Sequence, residues 1–279
     1  MFDKPAQEKP KRKEYPNLDH LDRKKPGAVP INAVCELPLG LDGLFSSSMA
    51  QQESMMNEFA KKNHVEVVDW FANKNDLKER DQKNGGLRTY VISDINSKNK
   101  LSESYQICTG LALTAQKRDQ KGNYMSIMSH SNPLEVLRHK WTNGYFSDLE
   151  DSISELKELA EPGTIDAVIY GGMAKSLHNT LEENGKRQNY IDSILKLGKF
   201  VSEQLGFDVR VALAPSDNPS GVHAYLTLAE DTNNDKKHTL NFIRPQQMDP
   251  LNNSSFQWFS IKELSKLFGN QPDEKVSKK

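Results

Sequence analysis

Residues 105–130 read YQICTGLALTAQKRDQKGNYMSIMSH, and this stretch decides the fold class. Two apolar runs, 105–115 and 124–130, flank the polar segment KRDQKG at 117–122. Short apolar runs rich in strand-forming residues, separated by charged residues and a glycine, are typical of β-strands joined by a turn. The sequence therefore predicts an antiparallel hairpin whose polar turn is centred near Asp119.

A turn centred on Asp119 would place Cys108 directly opposite His130. Directly opposed residues have β-carbons about 4.5–5.5 Å apart on one face of the sheet, so the imidazole could take the thiol proton. The thiolate is the nucleophilic form of cysteine, and a neighbouring imidazole lowers the thiol pKa and later protonates the leaving group. The alternative is that Cys108 is a small apolar core residue and His130 an edge histidine.

The segments on either side of the hairpin alternate between helical and extended patterns. Helices are predicted at 46–62, from Ser147 to Pro162, at 191–205, and from Ser260 onward. The capping-box spacing of Ser147 with Glu150 and of Ser260 with Glu263 marks two of these starts. Strands are predicted at 65–70, 87–95, 164–170, 207–214, 222–229 and 238–244. The order lacks the regular strand-helix alternation of a doubly wound sheet. It predicts an α+β fold in which β-sandwich-like layered sheets are covered by helices.

Both ends of the chain have the composition of disordered tails. Residues 1–30 hold five prolines among charged residues, and residues 269–279 are also polar. Such segments bury too little apolar surface to offset the entropy of ordering. A basic cluster in the first tail (Lys9, Lys11, Arg12, Lys13) is a solvated feature or a docking tag. We expect a single domain at 31–268.

Composition and charge restrict the function classes. The formal net charge of -1 argues against a nucleic-acid partner, and no apolar run reaches the length of about 18 residues that a membrane helix needs. Two cysteines are too few for a disulfide framework or a cysteine zinc site. No glycine-rich phosphate loop is present. We expect a monomer in a reducing cytoplasm, with no metal, cofactor or membrane.

The other cysteine and two further histidines have structural interpretations. Cys35 has no histidine nearby in sequence, and His139 and His223 lie in a helical turn and after a turn-rich segment. No spacing pairs either histidine with a cysteine. Cys108 and His130 therefore remain the chemically suggestive pair.

Several pieces between residues 101 and 244 occur in an order that resembles the chemoreceptor glutamine deamidase family, to which the catalytic domains of cytotoxic-necrotizing-factor-type toxins are structurally related. The pieces are a cysteine strand (ICTGLAL, 107–113), a glycine-led strand that ends in histidine shortly before a proline (GNYMSIMSHSNP, 122–133), the apolar-aromatic-Gly-Gly run AVIYGGM (167–173), and NGKRQN (184–189) opening a long helix. The resemblance covers about half of the chain.

The resemblance implies a deamidase-like fold and assigns roles at three positions. Cys108 and His130 match the family's catalytic cysteine and histidine, and Ser102 matches a hydroxyl residue six positions before the cysteine that orients the imidazole. The implied activity is hydrolysis of a glutamine carboxamide on a protein substrate through a thioester, in the producing cell or as a toxin-like effector delivered by a dedicated secretion system. Transamidation or proteolysis would use the same pair, and a non-catalytic binding or regulatory module on this fold is the alternative.

Overall fold

The computed structural model describes residues 27–68, 92–105, 108–131, 136, 139–171, 184–213, 222–229, 237–243 and 257–268. These residues form ten strands, four α-helices and a 3-10 helix at Leu44–Ser46. The strands are β1 (Ile31–Val34), β2 (Glu66–Val68), β3 (Lys100–Tyr105), β4 (Thr109–Gln116), β5 (Tyr124–Ser131), β6 (Asp166–Gly171), β7 (Arg210–Leu213), β8 (Val222–Thr227), β9 (His238–Ile243) and β10 (Gln257–Ser260). The helices are α1 (Met49–Lys62), α2 (His139–Leu159), α3 (Asn184–Leu205) and α4 (Ile261–Phe268).

The strands form two five-stranded mixed sheets. The first sheet has the order β1-β9-β8-β3-β2, and the second has the order β10-β7-β6-β4-β5. In the first sheet β1 is parallel to β9 and β2 is parallel to β3, whereas in the second only β6 and β7 are parallel. This arrangement confirms the α+β layout that the sequence predicts.

The two sheets pack face to face, and helices cover their outer faces. Leu226 and Phe242 of the first sheet share one buried cluster with Val168 and Tyr170 of the second, which defines the inner faces of both sheets. On the outer face of the first sheet, α1 packs against β3 and β8; on that of the second, α2, α3 and α4 pack together against β4 to β7. Each large side chain buried in these layers contributes about 1.5–3 kcal/mol to the stability.

Helix boundaries agree with the sequence where a local capping interaction sets them. Ser260 Oγ accepts a hydrogen bond from the Glu263 N–H at 3.1 Å, and the Glu263 carboxylate accepts one from the Ser260 N–H at 2.9 Å, so the predicted capping box begins α4. The predicted start of α2 at Ser147 is wrong, because the helix begins at His139. Tyr145 is fully buried in the second sheet's outer core, and this packing extends the helix beyond the local signal.

The predicted strand at 105–115 is wrong as a single element. Tyr105 ends β3 in the first sheet, whereas β4 begins at Thr109 in the second, so the chain changes sheets over a few residues. In the predicted strand at 87–95, residues 87–91 lie outside the described residues, and Ile92 forms only an isolated bridge to Ser129. The edge strands β1 and β10 are additional elements that the periodicity did not predict.

The tails fall mostly outside the described residues: 1–26 and 269–279 are not described, and the described chain begins four residues before β1. Within the described parts of the chain, no helix combines the length and apolar character needed to cross a membrane.

Candidate active site

His130 and Ser102 meet in the interior between the two sheets. His130 lies near the end of β5 in the second sheet and is 1% exposed, and Ser102 lies on β3 in the first sheet and is 0% exposed. The Ser102 Oγ is 2.9 Å from the Nδ1 of His130. The contact between these two residues that the family resemblance implied is therefore present, and one ring nitrogen of the imidazole is held by a fixed hydroxyl group.

Cys108 faces the same interior from the residue directly before β4. It is 7% exposed and belongs to the inner cluster with Ala112, Met128 and Tyr170. Met128 precedes His130 by two residues on β5, so both point to the inner face. The cysteine and the histidine therefore share one face of the second sheet.

The predicted direct opposition of Cys108 and His130 is wrong by two residues in register. Gly110 pairs with His130, and Gln116 pairs with Tyr124. The loop is centred on Gln120 because it contains two successive turns, in which the Gln120 N–H bonds to the Lys117 carbonyl and the Asn123 N–H to the Gln120 carbonyl. A shift of two residues preserves the face on which each side chain lies. Cys108 lies one residue before the first pair of the ladder, Thr109 with Ser131, and is therefore not directly opposite His130.

Burial determines the charge state of His130. Loss of solvation lowers the pKa of His130 to about 3, because the interior disfavours the imidazolium. Ser102 is a neutral partner and cannot offset this effect as a carboxylate would. The ring is therefore a neutral imidazole at pH 7, which can accept a proton at one nitrogen and donate from the other.

The site lies at one end of the sandwich. Register places the last residues of β3, β5, β6, β7 and β9 and the first residues of β4, β8 and β10 at this end. Gln106 and Ile107, which precede Cys108, lie outside the described residues.

Cys35, His139 and His223, for which the sequence predicts structural roles, occupy other positions in the fold. Cys35 follows β1, is half-buried and packs at the margin of the inner cluster. His139 begins α2, and His223 is buried on the outer face, where burial lowers its pKa to about 4 and its ring stacks on Phe45. His238, which the sequence analysis did not single out, is also buried with a pKa lowered to about 4.

A second buried polar cluster lies two residues before Ser102 on β3. Lys100 is 0% exposed, and its ammonium group donates to the Glu66 carboxylate at 2.9 Å, to Asn96 Oδ1 at 3.0 Å and to the Asp94 carbonyl at 3.1 Å. Burial lowers the pKa of Lys100, and the charge of Glu66 opposes that effect. The sequence alone gave no sign of this cluster, because a lysine is ordinarily solvent-exposed.

Among the described residues, no three histidine, cysteine or acidic side chains are placed to hold one metal ion. No model of a known protein family and no curated protein matches this chain.

Proposed function

We propose that this protein is a cysteine-dependent protein glutamine deamidase. Cys108 is the nucleophile, His130 the general base and then the general acid, and Ser102 the group that orients the imidazole. The observation that carries the proposal is the 2.9 Å contact between Ser102 Oγ and His130 Nδ1 on the face that Cys108 shares. Because Ser102 occupies Nδ1, proton exchange with a thiol would use Nε2.

The reaction follows from these roles. The Cys108 sulfur bonds to the carboxamide carbon while His130 takes the thiol proton, and backbone amides near Cys108 stabilise the resulting oxyanion. The carbon–nitrogen bond then breaks, and the proton on His130 passes to the leaving amine, which departs as ammonia. A water molecule, deprotonated by His130, attacks the thioester; the carbon–sulfur bond breaks, and His130 returns the proton to the Cys108 sulfur. The products are a glutamate side chain and the regenerated thiol.

The low pKa of His130 favours a particular timing for the first step. A preformed pair of thiolate and imidazolium would require a charged ring in a site that disfavours one. We therefore propose that the proton moves as the sulfur–carbon bond forms. The resting enzyme would hold a neutral thiol and a neutral imidazole.

The apolar surroundings of Cys108 support a neutral substrate group. Its cluster neighbours include Ala112, Met128 and Val168, and burying a carboxylate or ammonium among such groups is costly. A glutamine carboxamide is uncharged, whereas the product carboxylate would be expelled. We propose that the side chain of a protein-borne glutamine reaches the site from the end of the sandwich where β5 ends and β4 begins.

The two thiols support a reducing place of action. Cys35 and Cys108 do not form a disulfide, and the cytoplasm keeps such thiols reduced. We propose that the chain acts as a monomer in a cytoplasm, either that of the producing cell or that of a host into which a dedicated secretion system delivers it.

A second candidate function is a non-catalytic binding or regulatory module on the same scaffold. The observation that favours it is the burial of Cys108, which at 7% exposure packs like an ordinary core residue. In this candidate function the Ser102 hydroxyl serves only as a hydrogen-bond partner for the ring of a buried histidine.

Alkylation of the two cysteines separates the candidates. If exposure alone set the alkylation rate, half-buried Cys35 would react faster than buried Cys108. Assistance from His130 would make Cys108 the faster of the two. The experiment labels the folded protein with iodoacetamide at neutral pH and follows each cysteine by mass. The enzyme proposal expects Cys108 to react first, and His130→Asn, which retains a partner for Ser102 but removes the far ring nitrogen, to abolish the preference.

The activity itself is tested on candidate protein substrates. Conversion of glutamine to glutamate through a thioester adds about 1 Da at the modified side chain, and Cys108→Ser should prevent the gain. If Cys35 reacts first in the wild-type protein and His130→Asn leaves the Cys108 rate unchanged, the enzyme proposal fails and the binding module stands.

A further inference from the structure

One row of paired residues crosses the second sheet at the level of His130. On β5 His130 pairs with Gly110 of β4, and Gly110 pairs on its other side with Tyr170 of β6. All three positions belong to the inner face. Gly110 therefore separates the histidine from the tyrosine, and it is the inner-face position that follows Cys108 along the chain.

The ring of Tyr170 fills the space that a side chain at position 110 would need. A β-carbon on Gly110 would lie 2.1 Å from the Cζ atom of Tyr170 and 2.3 Å from its Cε2 atom. Real β-carbons do not approach other atoms so closely, and the ring is fully buried and cannot move aside. Glycine at this position is thus required by the ring that lies across β4.

Two contacts hold the Tyr170 ring in place. The Tyr170 hydroxyl passes over β4 and donates a hydrogen bond to the Ser129 carbonyl on β5 at 3.3 Å. Ser129 directly precedes His130. From the opposite sheet, Phe242 packs edge to face against the same ring, with centroids 5.7 Å apart. An aromatic pair of this geometry adds to the burial energy.

We infer that Gly110 and Tyr170 form a positioning pair for Cys108 and His130. The ring lies across β4, the strand that leads from the cysteine, and its hydroxyl fixes the backbone of β5 beside the imidazole. Tyr170 thereby holds the thiol and the imidazole at a constant separation and keeps water from the space above Gly110. This inference rests on the proposed function for its catalytic meaning, although its structural part can be measured without activity.

Tyr145 provides a matched control because it binds the same serine from the other side of the sheet. Tyr145 is also fully buried, and its hydroxyl lies 3.4 Å from the Ser129 Oγ, on the face that packs against α2. Tyr170→Phe and Tyr145→Phe each remove one buried hydroxyl near Ser129. Only the first removal acts on the face that holds His130.

The deciding measurement is the pair of ring nitrogen chemical shifts of His130 in long-range proton–nitrogen NMR spectra, assigned by their loss in His130→Asn. Tyr170→Phe should move these shifts and slow Cys108 alkylation about fivefold, the equivalent of one hydrogen bond of average strength. Tyr145→Phe should change neither.

Two results would overturn the inference: unchanged His130 shifts in Tyr170→Phe, or equal changes in both tyrosine variants. Gly110→Ala, if it folds, should move the shifts further than Tyr170→Phe because the methyl group displaces the whole ring. An inert Cys108 in the wild-type protein would sink the proposed function instead, and the NMR comparison would still decide whether Tyr170 positions His130.

Discussion

Ser102 and His130 come from different sheets, yet the Oγ of one lies 2.9 Å from the Nδ1 of the other. The contact spans the interior between the inner faces, so the position of the imidazole depends on how the two sheets pack. A ring held by a residue on its own strand would keep its orientation if the sheets moved apart. Here the orientation of His130 is a property of the assembled sandwich.

Ser102→Ala should remove the hydroxyl that contacts His130 with a small loss of stability. We expect the free energy of unfolding to fall by about 1–2 kcal/mol, since a buried ring nitrogen loses its partner. The alkylation rate of Cys108 should fall about tenfold or more, because the imidazole is no longer aligned. Denaturant unfolding and mass-resolved labelling check the two effects.

Ser126→Ala is the control for this substitution. Ser126 is equally buried on β5, and its hydroxyl donates to the Lys98 carbonyl at 3.1 Å, away from His130. A similar loss of stability with an unchanged Cys108 rate is expected. Equal slowing of alkylation in both variants would mean that the Ser102 contact has no special effect on the site.

Stability should fall as the solution becomes mildly acidic. The pKa of His130 is lowered to about 3 and those of His223 and His238 to about 4, whereas an unfolded histidine titrates near 6.5. Between these values the unfolded chain binds more protons than the folded one. The stability that depends on neutral imidazole rings is therefore complete above about pH 6.5 and is lost as the pH falls toward 4. Each pKa unit is worth about 1.4 kcal/mol.

Urea unfolding at about pH 7.5 and about pH 5 measures this loss. His130→Asn should reduce the difference between the two conditions, because one of the three histidines with a lowered pKa named above is gone. His64 is exposed and has a positive φ of 54°, a conformation that asparagine tolerates, so His64→Asn is the matched control. A His130 variant with the wild-type pH dependence would show that its burial does not shift its pKa.

Local sequence predicted the elements better than it predicted their partners. The apolar runs at β4 and β5 and the polar loop between them were recognisable, because a fully buried strand pair needs both features. The register depended on two turns around Gln120, and residue types alone do not determine turn geometry. The separation of Tyr105 from Thr109 into different sheets depended on packing between layers, for which the local pattern carries no signal.

The candidate site was predictable only in part for the same reason. Cys108 and His130 were found because the hairpin is local in sequence, and Ser102 came from a family resemblance. Tyr170 was missed as a site neighbour, since its approach to Gly110 follows from the pairing of β4 with β6. A glycine inside an otherwise apolar strand was the one available signal, because it often marks a close approach of another group.

The buried charge of Lys100 should be essential to the packing of β2 against β3. Lys100→Met leaves the Glu66 carboxylate and Asn96 without their cationic partner, and we expect a loss of about 3 kcal/mol in the free energy of unfolding. The double variant Lys100→Met and Glu66→Gln should recover part of that loss, because the stranded charge is gone. A double variant no more stable than Lys100→Met alone would contradict a coupling between the two residues.

The strand β1 should be necessary for stability, whereas the residues before Gly27 should not. The Ile31 N–H donates to Asp166 Oδ2 at 2.7 Å, and the Ile31 carbonyl accepts from Arg210 at 3.2 Å, so the strand is bonded to the second sheet as well as paired with β9. Ile31 is fully buried, and its removal alone would cost about 1.5–3 kcal/mol.

A chain that begins at Gly27 should therefore melt at the wild-type temperature, whereas one that begins at Glu36 should melt several degrees lower or fail to fold. Thermal unfolding of the two shortened chains makes the comparison, with Asp166→Asn in the full-length chain as the variant that weakens the attachment and keeps the strand. If both shortened chains melt together, β1 contributes nothing to the sandwich, and the domain predicted at 31–268 would have to begin after it.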